Sequence, residues 1–347
     1  MSEKQYDVLT GEELEGVTVE EAPVKEKTPE NIDPLTGDTV ECPVETAEEE
    51  VQDNVDPVTG EDTTAQPKHE EGGVLSALKG MVSFFTIIRI PVDMKEFDAM
   101  ERRFWLVPII GLLVGLVTFV SSVILYHLHM GLLVMAVFAL AVPYLFSKFL
   151  HFDGLTDFGD GMICSSGDRE KHVRALKDTL VGAGGVGVAI ITIILTVMLY
   201  YQTAVCYYDS VPYPGVNICY LIAGPALIAE ILVKNAQVAA AAFGEPGNGM
   251  ASRQVGCTTM KSLALSTVIS FVLTVGMVIL LDRTLGVSEA FVLPSMGALI
   301  ASIVIGWWMA RTANRNFGFV NGDILGATNE ISRVVILMVF IFVLEAM

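Results

Sequence analysis

The chain has 347 residues, 52% of them hydrophobic, and a mean hydropathy of +0.55. That excludes an ordinary soluble protein and points to a polytopic membrane protein. The formal charge of −19 is confined to one end: residues 1–73 hold 22 acidic and 4 basic residues, against 18 and 17 in the remainder. The chain therefore divides into an acidic tail, 1–73, and a nearly neutral membrane body, 74–347, and no nucleic-acid partner is expected.

The tail repeats D-x-[LV]-T-G-[DE] three times, at 7–12, 33–38 and 56–61. Turn-forming Asp-Pro and Thr-Gly pairs separate Glu-rich, aromatic-poor stretches that cannot bury enough apolar surface to offset their ordering entropy, which predicts disorder. A solvated tail without a ligand fits this pattern. So do a docking motif for another protein in three copies and a weak site for divalent cations. Next comes a short apolar stretch, 73–92, carrying Lys79 and Arg89, which predicts an interfacial or re-entrant helix stopped by Pro91. Seven windows then have the length and composition of membrane spans: 104–126, 130–150, 184–205, 218–242, 262–281, 290–310 and 324–345. The last is apolar throughout only from Val334 onward, so its first turns are not expected in lipid. The predicted fold is all-α, with about seven transmembrane helices. The five cysteines show no C-x-x-C spacing, which predicts neither a zinc site nor a disulfide framework.

With the tail inside, the inner segments carry fifteen Lys and Arg, Arg103, Lys148, Arg174, Lys177 and Arg333 among them, and the outer loops carry Arg283 alone. This places the N-terminus in the cytoplasm and the C-terminus outside. Lys234 lies within a span, four residues after Glu230, where the two are expected to pair on one helix face.

The polar motifs gather on the inner side. In H-F-D-G-L-T-D-F-G-D-G (151–161), Asp153, Asp157 and Asp160 stand at i, i+4 and i+7, within about 60° on a helix. Three carboxylates on one face call for a cation between them, and oxygen-only ligands suit magnesium or manganese. A capped helix end with solvated charges is the alternative. The run D-R-E-K-H-V-R-A-L-K-D (168–178) places Arg174 and Lys177 one turn apart, as an anchoring face or as a phosphate contact. Gly182, Gly184 and Gly187 satisfy G-x-G-x-x-G, but no βαβ unit surrounds them, and close helix packing is the better account. A lesser reading lets the amides at this helix start meet a phosphate. Asp323 and Glu330, seven apart in N-G-D-I-L-G-A-T-N-E, form a second acidic group. His151 is expected as a hydrogen-bonded anchor beside the carboxylates.

Three blocks, H-F-D-G-L-T-D-F-G-D-G (151–161), K-D-T-L-V-G-A-G-G (177–185) and G-D-I-L-G-A-T-N-E (322–330), resemble the signatures of cobalamin-5′-phosphate synthase, or adenosylcobinamide-GDP ribazoletransferase. The segments F-F-T-I-I-R-I-P-V (84–92) and P-I-I-G-L-L-V-G (108–115) also look like that family, whereas the acidic tail lies outside its pattern. The resemblance implies a magnesium-dependent enzyme of the inner membrane, with manganese as an alternative. Such an enzyme joins adenosylcobinamide-GDP to α-ribazole or its 5′-phosphate and releases GMP. Carried onto this chain, it assigns the metal to Asp153, Asp157 and Asp160, completed by Asp323 or Glu330. Asp160, before Asp157, is the expected proton acceptor. Substrate contacts fall to His151, Arg174, Lys177, Asp178 and Arg103. A homo-oligomer is left open. Two other functions could place aspartates at a membrane face. A CDP-alcohol-type phosphotransferase should show D-G-x-x-A-R, where this chain has Thr156 and Asp157 in place of Ala and Arg. A cation transporter should place polar residues at mid-bilayer in several spans, and only Glu230 and Lys234 are expected there.

Overall fold

The computed structural model describes residues 72–164, 167–210, 220–249, 251–285 and 291–347. The tail and its repeats, apart from Gly72 and Gly73, lie outside them. Helices α1 (Val74–Phe85) and α2 (Met94–Arg102) lead through a 3-10 turn (Phe104–Leu106) into α3 (Val107–His127). Then follow α4 (Leu132–Phe146), α5 (Leu150–Ile163), α6 (Arg169–Leu176), α7 (Ala183–Ser210) and α8 (Tyr220–Phe243). The last four are α9 (Ser252–Cys257), α10 (Met260–Leu285), α11 (Val292–Asn316) and α12 (Gly322–Glu345). The described residues are almost entirely helical, with an isolated bridge between Pro246 and Val320.

Helix α1, with 12 residues, is too short to span. It ends at Phe85 rather than near Pro91: the Thr86 hydroxyl donates to the Val82 carbonyl (2.6 Å), and the Ile87 amide leaves the helix to bond the Phe146 carbonyl (2.8 Å). The chain packs α1 on α2, which opens with a capping box between Asp93 and Glu96.

Among the described residues six helices are long and apolar enough to cross a membrane, and α4 with α5 makes a pair of that length and apolarity bent by 97°. The expected continuous span at 130–150 is therefore broken. Pro143 removes a backbone donor from α4, and Lys148 and Phe149 both take positive φ (57°). Beyond the break, α5 turns sharply away from the direction of α4. The spacing predicted no disulfide, yet Cys257 is disulfide-bonded.

Helix α8 is the hub, packed by α3, α10, α11 and α12 and buried along almost its whole length. Eight alanines and a glycine let neighbouring backbones approach it, the device that replaces hydrophobic drive between helices in lipid. On α11, a Cβ at Gly306 would collide with the Ala236 carbonyl and the Ala239 methyl of α8. Gly306→Val should therefore separate the two helices and lower thermal stability in detergent by about 1–3 kcal/mol. An unchanged melting point would show that the contact is loose. Away from the hub, Ile191, Ile194, Phe271, Val272, Ile300 and Val304 stand exposed on α7, α10 and α11, as lipid-facing positions should.

Candidate active site

The Asp-rich motif folds as the predicted helix, α5, and its carboxylate face meets the start of α12. Gly154 makes this approach possible: a Cβ there would run into the backbone of Asp323. Asp157 is half-buried. Burial, with the negative charges of Asp323, Asp153 and Asp160 around it, pushes its carboxyl up to about 7. The structure thus gathers three of the other four predicted acidic ligands around Asp157. Among the described residues no three His, Cys, Asp or Glu side chains converge tightly enough to form a ready-made metal cage.

Asp160 has a further task. Its Oδ2 accepts from the Gly182 amide (2.6 Å) and its Oδ1 from the Gly185 amide (2.8 Å). It satisfies orphan donors at the start of α7 from another helix, and its negative charge meets the positive end of the helix dipole. The glycine run is a packing surface for α5, as expected, and the two amides bonded to Asp160 are not available to a phosphate.

Beside the acidic patch, Arg169, Arg174 and Lys177 line a groove of about 580 Å³ together with Glu170, Val173, Asp178 and Thr179. Asp178 is occupied locally, its Oδ1 accepting from the Leu180 amide (3.0 Å) to close the turn after α6. Helix α6 is tied to α5 through His172, whose Nδ1 lies 2.6 Å from the Gly161 carbonyl oxygen. Lys177 links groove and patch. Its ammonium sits 5.8 Å from the centre of the Phe319 ring and within electrostatic reach of Asp323. Arg103 stands apart, at the end of α2, a helix that packs mainly on α1 and α9.

Two predicted site residues are drawn elsewhere. Glu330 is buried two turns deeper along α12. Its Oε1 accepts from Asn329 (2.9 Å), and its Oε2 accepts from the Tyr144 hydroxyl (2.9 Å) and pairs with Arg333. His151 is buried behind the patch, its Nε2 2.5 Å from Lys234 Nζ, with the Phe85 ring packed on it. Glu230 and Lys234 do not pair as expected: Glu230 accepts from Arg333 Nε (3.0 Å), and Lys234 donates to Asn329 Oδ1 (2.8 Å). Arg333 is 1% exposed, so it is a buried partner of two carboxylates rather than an inner-surface anchor. The sequence signal for this buried group was the set of polar residues Asn329, Glu330 and Arg333 inside an otherwise apolar span.

Residues 77–341 match the family described as cobalamin-5-phosphate synthase. The chain belongs to that family. Among its relatives is the adenosylcobinamide-GDP ribazoletransferase of Methanococcoides burtonii, 31% identical over 79% of this chain and 94% of that protein. The protein of the same name from Methanocella arvoryzae is 31% identical over 76% of this chain and 94% of its own. That from Pyrococcus abyssi is 28% identical over 76% and 97%. No solved structure matches. This cobalamin-5-phosphate synthase family member is thus a multi-pass membrane transferase of cobalamin biosynthesis. Neither rival reading survives that result.

Proposed function

We propose that the chain transfers the adenosylcobinamide-phosphate moiety of adenosylcobinamide-GDP to α-ribazole or α-ribazole 5′-phosphate, with release of GMP. The observation that carries this reading is Lys177, which belongs both to a basic groove and to the surroundings of a carboxylate patch. A diphosphate substrate needs both signs of charge at once.

Magnesium fits the patch. It takes oxygen ligands and is commonly held by one or two carboxylates, with the rest of its shell from water and substrate phosphates, so a closed protein cage is not required. Asp153 and Asp323 would hold it, with Asp157 adjoining and manganese as an alternative. A bound ion would supply positive charge against the negative charge that builds on the leaving phosphate. Lys177, Arg174 and Arg169 hold the diphosphate in the groove. The ribazole hydroxyl attacks the cobinamide-side phosphorus in line, and a new P–O bond forms as the bond to the GMP phosphate breaks. Asp157 takes the hydroxyl proton. It is half-buried among the carboxylates, whereas both oxygens of Asp160 are engaged by amides.

The side of the membrane follows from charge. With Arg333 removed from the count, fourteen inner bases still stand against Arg283 outside, which favours a cytoplasmic active site and N-terminus. Adenosylcobinamide-GDP and α-ribazole added to sealed inside-out vesicles of the cell membrane should give GMP. Sealed right-side-out vesicles should give none until they are opened. Turnover in intact right-side-out vesicles would overturn the orientation, and no turnover in opened vesicles would overturn the function.

A further inference from the structure

We propose that the buried network of Tyr144, Glu230, Lys234, Asn329, Glu330 and Arg333 is a positioning device that fixes the α4–α5 break and so holds Asp153 and Asp157 against Asp323. The proposal rests on the reading of that patch as the reaction site.

Four of these side chains carry formal charge, and all four are 2% exposed or less inside a membrane bundle. Such groups are expensive there without a role. Their bonds run to the two sides of the break. Tyr144, in the last turn of α4, donates to Glu330 of α12 (2.9 Å). His151, in the first turn of α5, lies 2.5 Å from Lys234 of α8, which donates on to Asn329 of α12 (2.8 Å). Arg333 joins the two halves by pairing with both Glu230 and Glu330. Around the turn itself, the Tyr144 ring packs on Phe149 and Phe152 at 5.7 and 5.4 Å between centroids. The same helix, α12, begins with Asp323 and supplies Asn329, Glu330 and Arg333. The network therefore ties α5 to the helix that its carboxylates must face.

A transport path is the competing account of buried charge. The cavity among His151, Glu230, Lys234 and Arg333 is about 10 Å³, room for about one water and no more. The buried bonds of Asn235 elsewhere in the bundle, to Ser302 (2.9 Å) and Ser266 (2.9 Å), use neutral groups. The charged bonds lie where the chain turns toward the site.

Tyr144→Phe keeps the ring and removes one bond, so the full-length protein should fold. Amide hydrogen exchange across 150–163 should accelerate about tenfold, the equivalent of one lost bond, with α10 and α11 unchanged. Mn²⁺ binding, followed by electron paramagnetic resonance of the purified protein, should weaken about tenfold or more, as for other supports of metal ligands. Ser302→Ala, which breaks a buried bond between α8 and α11, should move neither readout. Unchanged exchange in α5 of Tyr144→Phe, or loosened α5 with full Mn²⁺ affinity, would overturn the proposal. Wild-type protein that binds no Mn²⁺ would sink the metal reading alone, and α5 exchange would still decide the positioning role.

Discussion

Asp157→Asn should lower turnover by about 10²–10⁴-fold, the range expected for loss of a general base, while making the metal-free protein more stable. The second effect comes from the raised carboxyl. In the folded chain Asp157 releases its proton only near pH 7, against an ordinary value of 3.8, because burial and three neighbouring carboxylates oppose its charge. A group raised on folding favours the folded state fully below its unfolded value, and that advantage is lost as pH climbs through the folded one. Asn carries no charge at any pH. Its advantage over Asp should therefore be nil near pH 4, grow up to pH 7 and level off above it. Melting curves in a chelator at pH 4, 6 and 8, beside initial rates of GMP release, test both halves. Loss of activity with a melting point that falls at pH 8 would mean that Asp157 is structural and not strained.

Arg333→Met should be the most destabilising single change in the bundle. It leaves Glu230 and Glu330 buried without their shared cation, and breaking a buried ion pair from one side costs about 3–5 kcal/mol. Adding Glu230→Gln to it should recover part of the loss, because one of the stranded charges is then gone. Thermal unfolding in detergent, with the amount of protein reaching the membrane as a second readout, measures it. A loss below about 1 kcal/mol, within the range of surface pairs, would show that these carboxylates find other partners.

Much of this site was legible because it rests on local periodicity. Residues i, i+4 and i+7 share a helix face whatever the tertiary structure, so the alignment of Asp153, Asp157 and Asp160 required no knowledge of the fold. The spans were legible for the same reason, since length and hydropathy are properties of one segment. The break between α4 and α5 was not, because a hydropathy window has no direction and registers a 97° turn only as continued apolarity. Pro143 and Lys148 were its visible marks. Nor was the fate of Asp160 legible: its partners, Gly182 and Gly185, lie more than twenty residues away, and backbone donors leave no trace in side-chain patterns. Glu230 and Lys234 misled for a related reason. An i, i+4 pair on a helix surface is worth a few tenths of a kcal/mol. In the buried group Glu230 instead accepts from a guanidinium brought in from residue 333, and Lys234 donates to the amide of residue 329.

The most direct measurement is single-turnover chemistry on the purified full-length protein. The enzyme is mixed with an equal amount of adenosylcobinamide-GDP and magnesium, with and without α-ribazole, and GMP is followed in time. If the carboxylate patch and the Lys177 groove carry a transfer to the ribazole hydroxyl, one equivalent of GMP should form with α-ribazole present, together with one equivalent of the joined corrinoid, and almost none without it. GMP released at the same rate in the absence of α-ribazole would make the site a hydrolase, and no GMP under either condition would contradict the account.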